Sequence, residues 1–285
     1  MARTNIIILA TFWNELDWIR PSLEQIQNID PVELIICDGN FDPSFQNKST
    51  DGTREIIKEF INNTKIPTQM INAIRIENKL KKGFNIFMNS GCPDGSRWNF
   101  GRAKVSLVSQ FKTNIYRINQ ALTFAHMSKL SKKWKKDRWV MTYDADQFYS
   151  EELIKTFSQT TNTDFHYDII TANELTFPFN FNQFTKDYEE RNWNNLPHRI
   201  KKNMAVYPTR HFMIENFFSS KNYEKHARTK HSGFYHHYKF RKNKKRIEDG
   251  YNLGDRKPPD PERYKNLNSA DKILFPEIIK KYFQI

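Results

Sequence analysis

Arg138-Trp139-Val140-Met141-Thr142-Tyr143-Asp144-Ala145-Asp146-Gln147-Phe148 is the stretch on which the fold turns. A short apolar run ends in two carboxylates spaced i and i+2. On a strand such a pair shares one face. Where the strand gives way to a loop, both side chains can converge on one point. Two carboxylates at one point repel each other unless a cation lies between them. Hard ions such as Mg²⁺ or Mn²⁺ suit oxygen ligands of this kind, and they usually hold substrate phosphates as well. The stretch therefore reads as the carboxyl end of a buried strand carrying a metal–diphosphate site. A solvated turn with two acids would show the same letters, and the segments upstream decide between the two.

Asn5 to Phe12 is a continuous, Ile-rich apolar run, the pattern of a parallel strand buried on both faces. Asn14 and Glu15 follow at its end. Leu16, Ile19, Leu23 and Ile26 then recur at helical spacing, which predicts a helix over 15–27 with Pro21 near its first turns. Val32 to Cys37 is a second buried strand, ending at Asp38-Gly39. Strand, helix, strand make one βαβ unit with a right-handed crossover. Ser49-Thr50-Asp51-Gly52-Thr53 caps a helix over 53–62, and Thr68 to Ile76 predicts a third strand. In open parallel sheets ligands bind at the carboxyl ends of the strands. Asn14/Glu15, Asp38 and Asp144/Asp146 all fall at such ends, so three polar clusters share one edge.

Residues 77–104 carry scattered Lys and Gly and predict a loop-rich excursion. Leu107, Phe111, Ile115, Ile118 and Leu122 predict a long helix over 105–128. Lys132-Lys133-Trp134-Lys135-Lys136 is a basic turn before the stretch quoted above.

The second half is less regular. Tyr167 to Phe177 predicts a strand with Glu174 inside it, and an unpaired mid-strand carboxylate facing a core would be costly. Phe177 to Phe184 is aromatic and turn-forming. It packs, or it stacks on sugar or base rings. Asp187, Glu189 and Glu190 read as a solvated helix start, and Met204 to Ile214 as one strand leading to Glu215. His231-Ser232-Gly233-Phe234-Tyr235-His236-His237-Tyr238 is rich in imidazoles. Arg241-Lys242-Asn243-Lys244-Lys245-Arg246 is a dense basic run. Ile273 to Phe283 predicts a short amphipathic helix that docks on the body, a membrane or a second subunit.

Composition bounds the class. The 285 residues are 38% hydrophobic and 14% aromatic, enough for a sizeable core. No apolar run approaches the roughly 20 residues of a membrane span. The run Ile6 to Leu9 is too short for a signal peptide. Cys37 and Cys92 are the two cysteines, outside any CxxC, which favours a reducing compartment over a disulfide scaffold or zinc site. A cytoplasmic location is expected. The net charge of +13 is segmented: −3 over residues 1–75, +11 over 76–140, −6 over 141–200 and +11 over 201–285. A basic rim around an acidic floor suits a polyanionic ligand or an anionic membrane surface.

These residues together resemble a GT-A fold glycosyltransferase, similar to glycosyltransferase family 2. Phe12-Trp13-Asn14-Glu15 resembles the family's first-strand motif. Ile35-Ile36-Cys37-Asp38-Gly39 with Ser49-Thr50-Asp51-Gly52-Thr53 resembles its "vvDdgStDgT" segment, here with about ten residues inserted. Asn119-Gln120-Ala121 resembles the "N-x-A" before the metal strand, and Asp144-Ala145-Asp146 matches the D-x-D motif. The likeness covers residues 5–157 and grows vague beyond.

The resemblance implies an α/β, Rossmann-like, mostly parallel central sheet flanked by helices. It implies a catalytic domain over 1–240 and a basic extension over 241–285. Within the domain, residues 1–150 would bind the nucleotide sugar and 151–240 the acceptor. Thr11 and Glu15 would line the nucleoside pocket, Asp38 would accept a hydrogen bond from the base, and Asp144 would contact the ribose or sugar. Asp146, with Asp144, would hold Mn²⁺ or Mg²⁺, and a late histidine (His231, His236 or His237) would complete the coordination. Glu215 holds the position of the base in inverting enzymes, with Glu174 second. Inversion is expected ahead of retention. The donor would be a nucleotide-diphosphate sugar, with UDP first. A glycan or lipid-linked glycan at an anionic membrane is the favoured acceptor. Two alternatives are hydroxymethylated pyrimidines in duplex DNA, as for phage-encoded enzymes, and polyanion binding without turnover.

Overall fold

The computed structural model describes residues 3–75, 115–163, 166–192, 195–201, 204–206, 212–214, 227–240, 267–271 and 273–285, with backbone alone at 117, 118, 121, 186–192, 204–206 and 212–214. The first apolar run forms β1 (Thr4–Phe12), and the second forms β2 (Pro31–Asp38). β3 is Thr68–Ile71 and β4 is Trp139–Asp144. These four lie in the order β4-β1-β2-β3, all parallel.

Both faces of this parallel half are covered, which is why its strands read as unbroken apolar runs. Ile6, Ile8, Ala10 and Phe12 enter one core cluster with Trp18, Ile19, Leu23 and Ile26 of α1 (Leu16–Ile29). Ile7, Leu9, Ile35 and Cys37 point the other way, onto Phe124 and Met127 of α3 (Ile115–Leu130). The helix between them in sequence is α2 (Thr53–Asn63), whose Ile57 is buried. α1 ends where Asp30 turns left-handed at φ 48° and its N–H reaches the carbonyls of Ile26 and Gln27.

Several boundaries differ from expectation. β3 stops at Ile71, five residues early; beyond it Asn47 Nδ2 and Thr123 Oγ1 bond the Ala73 carbonyl and the Ile74 N–H, so the segment hands its backbone to side chains instead of the sheet. α1 runs two residues further than predicted. α3 is described from Ile115 to Leu130, and the expected helix start at 105–114, like the excursion at 77–104, lies outside the described residues.

Beyond β4 the sheet becomes mixed. β5 (Gln147–Tyr149) leads into α4 (Glu151–Thr163). β6 (Ile169–Phe177) and β7 (Gln183–Asn192) pair antiparallel as a hairpin around the aromatic turn. Asp187, Glu189 and Glu190 therefore lie in a strand, not at a helix start; pairing with β6 overrides their poor strand preference. β8 (His198–Arg199) bridges β4 to β6. The expected single strand over 204–214 is two, β9 (Met204–Val206) and β10 (Phe212–Ile214), folded antiparallel on each other.

β11 (Thr229–Tyr238) lies parallel to β6 and antiparallel to β5. β12 (Asn268–Ser269) adds to β7. The chain closes with α5 (Glu277–Phe283), which docks on the body. Ile278 and Ile279 join the main core, and the Phe283 ring centroid lies 4.5 Å from that of Trp18. Trp18 also packs on Tyr238 at 5.4 Å and Phe148 at 5.7 Å. One indole thus joins α1, β5, β11 and α5. No helix among the described residues is long and apolar enough to cross a membrane.

Candidate functional site

Register places the three expected polar clusters side by side. Phe12 of β1 lies opposite Asp38 of β2, and Thr11 of β1 lies opposite Asp144 of β4. The two carboxylates therefore leave neighbouring strands on either side of the β1 terminus. Asn14 takes a left-handed conformation at φ 51° where β1 turns into α1.

Two loops are stitched together above this edge. Ser49 Oγ accepts the Asn14 N–H at 2.8 Å, Asn14 Oδ1 accepts the Thr50 N–H at 2.8 Å, and Thr53 Oγ1 accepts the Glu15 N–H at 2.7 Å. Asp51 accepts the N–H groups of Leu16 at 3.1 Å and Thr53 at 3.0 Å. Ser, Thr and Asp supply the short acceptors that backbone N–H groups at helix starts need. Thr11 is half-buried at the strand end, and Glu15 precedes the first turn of α1.

Asp38 is fully buried. Its Oδ1 accepts the Ser49 N–H at 3.1 Å and its Oδ2 meets Arg54 Nη1 at 2.5 Å. Arg54 also donates to Asn72 Oδ1 at 3.1 Å. The carboxylate expected to read a nucleobase is thus committed to the protein's own loop and guanidinium. Arg54 stood unremarked in the sequence, because an Arg on a helix flank looks like a solvated one. Gly39, next along, has no room for a side chain: a Cβ would lie 2.7 Å from the backbone nitrogen of Ala73. Asn119 holds the same corner from α3, donating to the Phe41 carbonyl at 2.8 Å.

Asp144 and Asp146 are both nearly inaccessible, at 4% and 2% exposure. Asn195 Nδ2 donates to Asp144 Oδ2 at 3.3 Å, and Thr142 Oγ1 donates to Asn195 Oδ1 at 2.5 Å. Asn195 adopts φ 59°, a left-handed conformation that Asn tolerates better than most residues. Tyr149 OH holds its carbonyl at 3.0 Å.

Asp146 meets an imidazole. His237 Nε2 lies 3.3 Å from Asp146 Oδ2, and His237 Nδ1 lies 2.7 Å from Glu174 Oε1. Antiparallel pairing of β11 with β5 sets this contact, since His237 is opposite Gln147 and Tyr238 N–H bonds the Asp146 carbonyl at 2.8 Å. Strand alternation separates His236 from His237, and a register shift lies between them and His231. Tyr235 and His237 share the face of Glu174 and Thr176. His236 points to the other face, buried among Phe177, Phe234 and Phe275, with Nδ1 on Tyr238 OH at 2.8 Å. His231 lies exposed before a register shift at Gly233 (φ 62°), bonded to Thr171 at 3.1 Å. Of the three imidazoles, the geometry brings His237 to the carboxylates and leaves His231 and His236 away from them.

Glu174 is buried and surrounded by donors: Tyr235 OH at 2.7 Å, Thr176 Oγ1 at 2.9 Å and His237, with Lys239 Nζ at 3.7 Å. Burial alone would push this carboxyl up. The charges of His237 and Lys239 and the hydrogen bonds from His237 and Tyr235 outweigh it and hold the group well below the usual carboxylate range. Both carboxylate oxygens are thus engaged by the protein's own donors. His237 is displaced the opposite way: burial pulls it down, but Asp146 and Glu174 raise it above its ordinary value despite Lys239. Glu215 and the basic run 241–246 lie outside the described residues.

Among the described residues no three or more His, Cys, Asp and Glu side chains form a ready-made metal cage. No protein-family model matches the chain, and a search of curated proteins finds no match.

Proposed function

We propose that this chain is a glycosyltransferase of the GT-A type, moving a sugar from a nucleotide-diphosphate sugar to a hydroxyl of a glycan acceptor with Mn²⁺ or Mg²⁺ as cofactor. The observation that carries it is the buried Asp144–Asp146 pair at the carboxyl end of a parallel strand, with the Asp38 and Asn14/Glu15 loops beside it. Open parallel sheets bind nucleotides at that edge.

The donor set fits the metal. Two carboxylates and one imidazole suit Mn²⁺. Such an ion normally takes one or two carboxylates and fills its remaining positions with phosphate oxygens and water. A complete protein cage is therefore not required. Asp146 and His237 are the residues that would hold it, with Asp144 at the adjoining end of β4. When bound, the ion supplies Lewis-acid neutralisation of the charge that develops on the diphosphate leaving group.

The chain's own residues do the rest. Asn195 and Thr142 fix the Asp144 carboxylate, and the stitched 14–16 and 49–53 loops wall the nucleoside side. The acidic 141–200 segment lies between two strongly basic ones, which favours an anionic donor and an acceptor near an anionic surface.

The test is thermal melting with UDP, GDP and CDP, each with and without Mn²⁺. A glycosyltransferase of this type gains stability from a nucleoside diphosphate only when the metal is present. Stabilisation by nucleotide or DNA that ignores Mn²⁺ and collapses with salt would overturn the reading in favour of polyanion binding.

A further inference from the structure

We propose that Glu174 is a positioning residue that acts through His237: its buried carboxylate accepts a hydrogen bond from the Nδ1–H and so turns Nε2 toward Asp146. The assignment rests on the proposed function, in which His237 and Asp146 hold the metal.

The argument is geometric. Glu174 and Thr176 on β6 lie in register with Tyr235 and His237 on the parallel strand β11, so all four share one face of the sheet. Glu174 Oε1 lies 2.7 Å from His237 Nδ1, and Thr176 donates to the same oxygen at 2.9 Å. Tyr235 OH holds the other oxygen at 2.7 Å. The carboxylate therefore has one orientation, fixed by donors on both oxygens. An imidazole that donates from Nδ1 to a fixed carboxylate is neutral only as the Nδ1–H tautomer. Its Nε2 then faces Asp146 Oδ2 at 3.3 Å as an acceptor facing an acceptor. Two acceptors at that distance are stable only with a cation between or beside them, a proton or a metal ion. Carboxylates in this position orient metal-binding histidines and make them more basic, and losing them typically weakens metal affinity by about 10–100-fold.

A buried carboxylate with four donor neighbours could instead serve the fold alone, so the test separates the two roles. The first measurement needs neither metal nor variant. Nitrogen-15 NMR of the histidine-labelled chain at pH 8 reports which nitrogen of His237 carries the proton. Protonated Nδ1, alone or as the imidazolium with Nε2 also protonated, is the expected result, and a neutral Nε2–H tautomer or an even mixture of the two neutral tautomers overturns the proposal. The second is a double-mutant cycle on Mn²⁺ binding in the presence of UDP, read by electron paramagnetic resonance. Glu174→Gln should weaken Mn²⁺ about 10–100-fold in the His237 background and have no further effect in the His237→Asn background. Equal losses in both backgrounds overturn the proposal. If UDP–Mn²⁺ does not bind the unaltered chain at all, the proposed function fails, while the NMR result still decides whether Glu174 sets the His237 tautomer.

Discussion

His237 Nε2 reaches Oδ2 of Asp146 across 3.3 Å, although Asp146 lies in the turn between β4 and β5 and His237 on β11, far along the chain. The contact places a nitrogen donor beside the second carboxylate of the D-x-D stretch.

Asp146→Asn removes the charge at that contact and keeps the shape. The Mn²⁺-dependent stabilisation by nucleoside diphosphate should vanish. In the unaltered chain at 100-fold excess over Kd it should amount to about 2.7 kcal/mol, a shift of a few degrees in Tm. A melting shift that survives the substitution would place the metal elsewhere.

Asn195→Ala leaves Asp144 and Thr142 without their shared partner and puts a residue with a poor left-handed tolerance at φ 59°. The expected cost is about 2 kcal/mol of stability, together with a drop in transfer rate larger than the change in donor KM. Urea midpoints and steady-state kinetics check the two parts. Unchanged kinetics in a folded variant would reduce Asn195 to a structural residue.

Buried groups make the fold sensitive to acid at different pH. Burial alone pushes the imidazoles of His198 and His236 down to about 3, and both stay neutral in the folded chain. The unfolded chain takes those protons below about pH 6.5. Between those values the unfolded state binds more protons, so stability falls as pH drops, by up to about 1.4 kcal/mol per pH unit for each group. His198→Gln should roughly halve the fall of the urea midpoint between pH 6.5 and 4.5, the remainder coming from His236, and a flat profile in the unaltered chain would contradict the prediction.

Asp168 acts lower down. Burial would raise its carboxyl, but hydrogen bonds and charge from Arg228 and Lys201 bring it from 3.8 to about 2. A depressed carboxylate gives stability that is complete above pH 4 and lost as pH falls toward 2. Because Arg228 is half-exposed, about 1–2 kcal/mol is expected. Asp168→Asn should lose that amount at pH 7 and show a smaller further loss near pH 3 than the unaltered chain, the remainder coming from Glu174.

At the C-terminus, Phe283→Ala should cost about 1–3 kcal/mol through its contact with Trp18. Lys281→Ala, which removes a surface pair to Glu24, should cost under about 1 kcal/mol. Thermal melting ranks them, and the reverse order would mean that α5 is held by charge.

The first half of the fold was legible because its signals are local. Each strand is one apolar run, each helix one periodic segment, and Asp38, Asp144 and Asp146 follow their strands directly. The second half depends on pairings that no window of sequence contains. Glu174 looked like a candidate base because Tyr235 and His237, its partners, sit on a strand far along the chain. Alternation along His231 to Tyr238 would have separated His237 from His236. Choosing the face needed the register against β6, which the shift at Gly233 obscures. Asp187, Glu189 and Glu190 looked helical because charge predicts exposure, not the ladder that the backbone joins.

The pairing of β11 with both β5 and β6 also sets when the site comes into being. Long-range, partly parallel pairing closes large loops and is slow relative to local helix formation. The helices can form on their local spacing while the β1–β4 and β6–β11 pairs, whose partners lie far apart in the chain, are still open. On refolding from urea, far-ultraviolet signal should therefore return ahead of nucleotide–Mn²⁺ binding, and recovery of binding should mark completion of the sheet.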